Sequence, residues 1–307
     1  MRENRTVRAR TLAKWLLRGT DRLLSAVCLI ALLAVGGLAA YIVVDTGRLM
    51  NEADSAQYRA LRPDAAGGAA SFGLLVARNP EVVAWLTLED TGVDYPVTQG
   101  KNNQKYINTS ALGEFSLSGA IFADARNAPD FSDTLTILYG HNMTGEAMFG
   151  SLDRYEDGDY FAGHLHGTLY HGGQYDALEV FAFFETSSHA LDIYRPELGQ
   201  EELGDWLELV RARAVHYREG VAEGGPILLM STCAVGETEG RRLVAARILP
   251  GAGRPAGDAA GDGGQAAWLV QRPQRAGGVP WLPLAAAFLA LSALSWLAWR
   301  RKRRRGT

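Results

Sequence analysis

Two residue types in this chain could do covalent chemistry at a defined place, a thiol and an imidazole. Cys233 closes the apolar run PILLMSTC (226–233), and His141 follows a second such run in TLTILYGHNM (134–143). A thiol attacks only as thiolate, so its ordinary pKa of about 8.5 has to be met by a neighbouring base or cation. An imidazole at a strand end can take up a proton and return it to a leaving amine, and Gly140 permits the tight exit from the strand. Arg241 stands eight residues beyond Cys233, and Arg242 then opens the next β-type run. If 227–232 and 242–249 pair as a hairpin, an arginine lies beside the cysteine and can donate to an oxyanion at the attacked carbonyl. Which of the two adjacent arginines does so stays open at this level. Taken singly, each residue reads as a small buried hydrophobe, a turn cap or a solvated charge. Only the three together at strand ends form a constellation.

The elements that must position them are short. Between residues 79 and 249, β-type runs recur at 85–88, 93–97, 119–123, 134–139, 166–170, 176–185, 227–232 and 242–249, separated by turn signals. That spacing predicts a closed or nearly closed β-barrel. One helical island, GQEELGDWLELVRARAV (199–215), places Leu203, Trp206, Leu207 and Val210 on one stripe, which reads as core packing. No internal repeat interrupts the pattern.

The chain has 307 residues, 47% hydrophobic and 21% charged, as for one good-sized folded domain with attachments. Residues 23–44 carry no charge and suffice to cross a hydrocarbon core of about 30 Å. Residues 279–299 form a second such run, with Trp281 near one end and Trp296 and Trp299 near the other. Basic tails at 1–22 and 300–307 flank the two runs, so the positive-inside rule predicts cytoplasmic termini and an exported segment 45–278. A cleaved signal peptide fits the first run less well, because its apolar stretch is long and no small-x-small site follows.

The formal charge of −3 hides a split. The tails and spans hold 13 of 31 Lys and Arg but only two of 34 acids, leaving 18 bases against 32 acids, a formal −14, for residues 45–278. An acidic exported domain argues against nucleic acid as partner. There are two cysteines, and Cys28 falls in the first span, so the exported segment has one thiol and no internal disulfide. Residues 45–73 read as a juxtamembrane stalk, 74–250 as the catalytic domain, and 251–278, rich in Gly, Ala and Pro, as a flexible tether. His164, His166 and His171 lack a fourth ligand at a recognised spacing and an adjacent Glu, so no metal is expected. Ser231 in MSTC lacks a nucleophile elbow, so a serine hydrolase is not expected either.

From about Pro80 to Ile248 the chain resembles the class B sortases. EVVAWLTLEDTGVDYPVTQGKNNQKYIN, GAIFADARNAPDF, LTILYGHNMTGEAMFGSLDRYED, LLMSTC and RRLVAARI resemble, in order, that family's opening strands and helix, its next strand and loop, its His segment, its Cys strand and its Arg strand. The resemblance implies a mainly β fold, a sortase-type closed barrel of about eight strands with peripheral helices, flanked here by two transmembrane helices. It implies Cys233 as nucleophile, His141 as acid/base and Arg242, rather than Arg241, as the arginine, because Arg242 directly precedes an apolar run. By the same likeness the substrate groove draws on Asn103, Ile107, Ser188, Ile193, Ser231 and Thr232. The implied activity is cleavage of a C-terminal LPXTG-like or NP-type sorting signal after its Thr, through a thioester, with no cofactor. The implied partners are secreted proteins bearing such signals and an amine acceptor, from a lipid-linked peptidoglycan precursor or a pilin lysine. The implied location is the cell membrane with the catalytic domain outside. A second span is more typical of the pilin-polymerising class C, which keeps both acceptors in play. A sortase-like scaffold that binds without turnover is the non-enzymatic alternative.

Overall fold

The computed structural model describes residues 2–63, 69–222, 224–233 and 239–253. Its strands are β1 (Val82–Leu88), β2 (Asp94–Thr98), β3 (Ile121–Ala123), β4 (Leu135–Tyr139), β5 (His166–His171), β6 (Gln174–Ser187), β7 (Ala214–Tyr217), β8 (Ile227–Cys233) and β9 (Gly240–Leu249). Hydrogen bonding orders them β5-β1-β2-β3-β4-β8-β9-β6, and β5 pairs back onto β6 to close an eight-stranded barrel. The pairs β2–β3 and β4–β8 are parallel, and the rest of the barrel is antiparallel. All eight expected β runs coincide with barrel strands.

β6 makes closure possible. Its first half pairs with β5 and its second half with β7 on the same edge, while β9 runs along the other edge with an irregularity between Val180 and Ala182. Such a bulge bends a strand around a barrel corner. The short β7 corrects the expected helical island: α4 (Leu203–Arg213) ends at Arg213, and the following residues pair with β6 instead. The cause is tertiary, since the upper half of β6 has an open edge that a nearby extended segment satisfies.

β4, β8 and β9 are covered on both faces. Leu138, Leu228, Met230, Val244 and Ala246 join the barrel-interior core. The alternate residues Ile137, Leu229, Leu243 and Ala245 pack in a second core with Leu203, Trp206 and Val210 of α4. Burial on two faces explains why these strands read as continuous apolar runs rather than as alternating ones.

At the N-terminus, α1 (Arg2–Ala53) contains the stretch Trp15–Gly47, long and apolar enough to cross a membrane. α1 continues to Ala53, a 3-10 turn spans Ser55–Leu61, and Ala53 and Tyr58 are buried in the barrel core. α2 (Ala69–Arg78) straddles the expected domain boundary and buries Leu75, while α3 (Gly158–Gly163) is a single capped turn. The second apolar run 279–299, nearly all of the tether and the C-terminal basic tail lie outside the described residues.

Candidate active site

Strand register brings the candidate residues into one row. β4 and β8 run parallel with Tyr139 paired to Ser231, so His141 and Cys233 each stand two residues beyond the same rung. β8 and β9 run antiparallel with Cys233 paired to Arg241 and Thr232 to Arg242. Directly opposed residues of an antiparallel pair share a face, and successive residues alternate faces. Cys233 and Arg241 therefore share one rung and Thr232 and Arg242 the next, so Arg241 lies on the face of Leu243 and Arg242 on the other.

The two arginine side chains have different surroundings. Arg241 lines a cleft of about 560 Å³ together with His141, Tyr139, Ser231 and Thr232. Arg242 instead reaches Glu185 at 2.9 Å, Glu156 at 2.8 Å and Asp153 at 3.3 Å, the last two on the 3-10 turn Gly150–Glu156. Burial alone would lower the pKa of this guanidinium, but the three carboxylates outweigh it and hold the pKa above the ordinary arginine value. Arg241 thus lines the cleft and Arg242, the arginine that the resemblance implies, sits in the carboxylate cluster: the pleat, which a one-residue step inverts, separates the two.

His141 leaves β4 through Gly140, whose N–H still donates to the Ser231 carbonyl at 3.2 Å. A Cβ on Gly140 would stand 2.7 Å from the Phe149 ring, so only glycine admits the ring under the strand exit. The loop then folds back on itself: Phe149 N–H donates to the His141 carbonyl at 3.0 Å, and Asn142 bridges to Met148. The His141 Nε2 lies 2.9 Å from the Ile107 carbonyl oxygen. A carbonyl only accepts, so Nε2 is the donor in that contact.

One fully buried carboxylate organises the cleft floor. Asp124 accepts from Arg126 Nε (2.9 Å) and Nη2 (3.0 Å), Asn103 Nδ2 (2.9 Å) and Tyr139 Oη (3.0 Å), and the Arg126 backbone N–H adds a further bond of 3.0 Å. Burial pushes its pKa up, but these donors win and hold it below the usual carboxylate value. The same carboxylate, with burial as the larger cause, drives the Tyr139 hydroxyl pKa upward. Tyr194 stacks on Tyr139 with ring centres 6.2 Å apart, and its hydroxyl meets Ser231 Oγ at 2.9 Å.

Of the expected groove residues, Asn103, Ile107, Ser188, Ser231 and Thr232 line the cleft. Two are committed to the fold as well: Asn103 ties Asp124 to the Ala125 N–H, and the Ser188 hydroxyl donates to Glu239 at the start of β9. Ile193 is not among the lining residues. It is fully buried in the second core, and its carbonyl accepts from Trp206 Nε1 at 3.1 Å, so it seats the loop without facing the cleft. The cleft also includes Arg126, Leu191 and Tyr194, which sequence reasoning did not single out. Leu191 is 81% exposed at the rim.

Residues 86–249 match the Sortase domain family. Sortase B of Listeria monocytogenes is 33% identical over 177 residues, which cover 56% of this chain and 71% of that protein. A mutant form of Clostridium perfringens sortase B is similar in structure, with a TM-score of 0.59 at 27% identity, covering 64% of this chain and 97% of that one. A class B sortase of Streptococcus pyogenes involved in pilus biogenesis gives a TM-score of 0.53 at 33% identity, covering 59% and 98% of the two chains.

Proposed function

This chain belongs to the sortase family, with class B relatives in sequence and structure, and from that premise we propose that it is a membrane-anchored cysteine transpeptidase acting on C-terminal sorting signals. One observation carries the reading: His141 and Arg241 line one cleft, and strand register sets Cys233 opposite Arg241 and, like His141, two residues beyond the Tyr139–Ser231 rung.

In this mechanism the Cys233 thiolate attacks the carbonyl after the Thr of an LPXTG-like or NP-type signal. The carbonyl oxygen becomes an oxyanion, which the Arg241 guanidinium stabilises by charge-assisted hydrogen bonds. Collapse breaks the C–N bond, the His141 imidazolium gives its proton to the departing amine, and a thioester remains on Cys233. An acceptor amine then attacks the thioester, His141 takes its proton, and the new amide leaves with the thiolate restored. One amide is exchanged for another, so no ATP is needed. Arg241 lines the cleft, whereas the Arg242 guanidinium is engaged by three carboxylates, which favours Arg241 for the role.

The acceptor is an amine of a peptidoglycan precursor in the principal reading. A lysine on a pilin subunit is the second reading. It is favoured by likeness to the Streptococcus pyogenes enzyme involved in pilus biogenesis and by the second apolar run with its basic tail. The apolar stretch of α1 serves as a membrane anchor, with 279–299 as a second span, both termini cytoplasmic and the barrel outside.

The test incubates the full chain in detergent with quenched sorting-signal peptides, with and without triglycine or a lysine peptide, beside Cys233→Ala. Cleavage by the native chain only, with amine-dependent product, supports transpeptidation. Equal cleavage by Cys233→Ala, or none by either, defeats it. The preferred amine separates the two acceptors.

A further inference from the structure

The end of the apolar helix meets the loop that carries His141. α1 runs from Arg2 to Ala53 as one helix, so the apolar stretch Trp15–Gly47 and Ala53 belong to the same rod. The Tyr95 hydroxyl donates to the Ala53 carbonyl at 2.8 Å, and its oxygen accepts from the Met148 N–H at 3.0 Å. A single hydroxyl thus uses its donor on the helix end and its acceptor on the loop. Thr144 Oγ1 to Met50 Sδ, at 3.5 Å, is a second contact between the same two elements.

The loop end of this link is strained. Met148 has φ of +54° and Glu146 of +62°, a region that a Cβ disfavours. Such conformations persist where the surroundings over-determine them, and they concentrate at functional sites. Gly92 lies so close to the Glu146 carbonyl that a Cβ there would stand 2.2 Å from its oxygen. From Met148 the constraint reaches His141 by two short routes, the Asn142–Met148 bridge and the Phe149 N–H bond to the His141 carbonyl.

We propose that Tyr95 is a positioning residue for His141, whose hydroxyl ties the strained Met148 turn to the last turn of the N-terminal apolar helix, so that imidazole orientation depends on how that helix is docked. The membrane-emerging segment is in this sense part of the acid/base apparatus. For its effect on turnover the inference rests on the transpeptidase reading. The structural link does not.

Tyr95→Phe deletes the hydroxyl and keeps the ring that meets Tyr58 edge-on at 6.5 Å. Tyr58→Phe is the matched control, because Tyr58 is equally buried at the same helix end and faces Ala111 and Ser110 rather than the loop. Both are made in the full chain in nanodiscs. Three quantities are measured: peptide cleavage kinetics, amide exchange of the 142–149 segment, and the His141 imidazole resonances. Tyr95→Phe should lower kcat at least fivefold with KM within twofold, speed exchange of 142–149 and shift the His141 resonances, while Tyr58→Phe leaves all three unchanged. An unchanged kcat for Tyr95→Phe in an active enzyme, or equal losses in both variants, overturns the inference. If the native chain cuts no peptide, the transpeptidase reading fails. Exchange and resonances then decide the link alone, and no change in them overturns it.

Discussion

Arg241 stands directly opposite Cys233 across β8 and β9, and Arg242, one residue on, stands opposite Thr232 on the other face of the sheet. Two adjacent residues of the same type are thereby assigned to different surroundings, one to the cleft and one to a cluster of three carboxylates.

Arg241→Ala should lower kcat/KM at least about 100-fold, the usual cost of removing an oxyanion donor, with little change in Tm. Arg242→Ala should keep kcat/KM within about threefold and lose about 1–3 kcal/mol of stability, because it leaves Asp153, Glu156 and Glu185 without their common cation. Peptide kinetics and thermal melts of both variants decide this, and interchanged phenotypes would refute the assignment.

Gly140→Ala forces a methyl against the Phe149 ring. Overpacking of this kind costs about 1–3 kcal/mol, and because the ring lies beneath the exit to His141, activity should drop at least about tenfold. Gly163→Ala is the control, since a Cβ there meets nothing within 4 Å. Equal activity in the two variants would show that the close approach at Gly140 does not matter.

Asp124 gives stability a defined acid dependence. Its folded-state pKa is depressed, so its contribution is complete above the unfolded value of about 3.9 and is lost as pH falls through the lower folded value. Asp124→Asn should be less stable than the native chain at pH 7, by about 1–3 kcal/mol, with the gap closing below about pH 4. Urea unfolding at pH 7 and pH 3 measures it; a gap that is undiminished at pH 3 would contradict the assignment.

Leu191 offers an apolar side chain to the cleft from an 81% exposed position. Leu191→Ser should raise KM about 3- to 10-fold, as expected for partial loss of an apolar contact, and leave Tm unchanged. An unaltered KM for every signal peptide would remove Leu191 from the binding surface.

Much of this protein was legible in its residues. The eight barrel strands stood out because apolar runs between turn signals survive whatever pairs with them, and α4 stood out because Leu203, Trp206 and Val210 recur at helical spacing. Cys233 and His141 were legible as the single thiol of 45–278 and as a strand-end imidazole. The rest depended on which elements meet. The 3.6-residue stripe of α4 does not reveal where an open edge of β6 turns its end into β7, and an apolar Ile193 looks the same whether it faces a groove or a core. Nothing in the sequence singles out Asp124 and Arg126; their role emerges only when Asn103 and Tyr139 are brought around Asp124 from elsewhere in the chain.

The pair Arg241 and Arg242 marks the boundary most clearly. The sequence alone determined that an arginine follows the cysteine strand and begins the next one. Only the tertiary structure decided which of the two lines the cleft, because a side chain's face depends on register, and register is a relation between two strands that neither strand contains by itself.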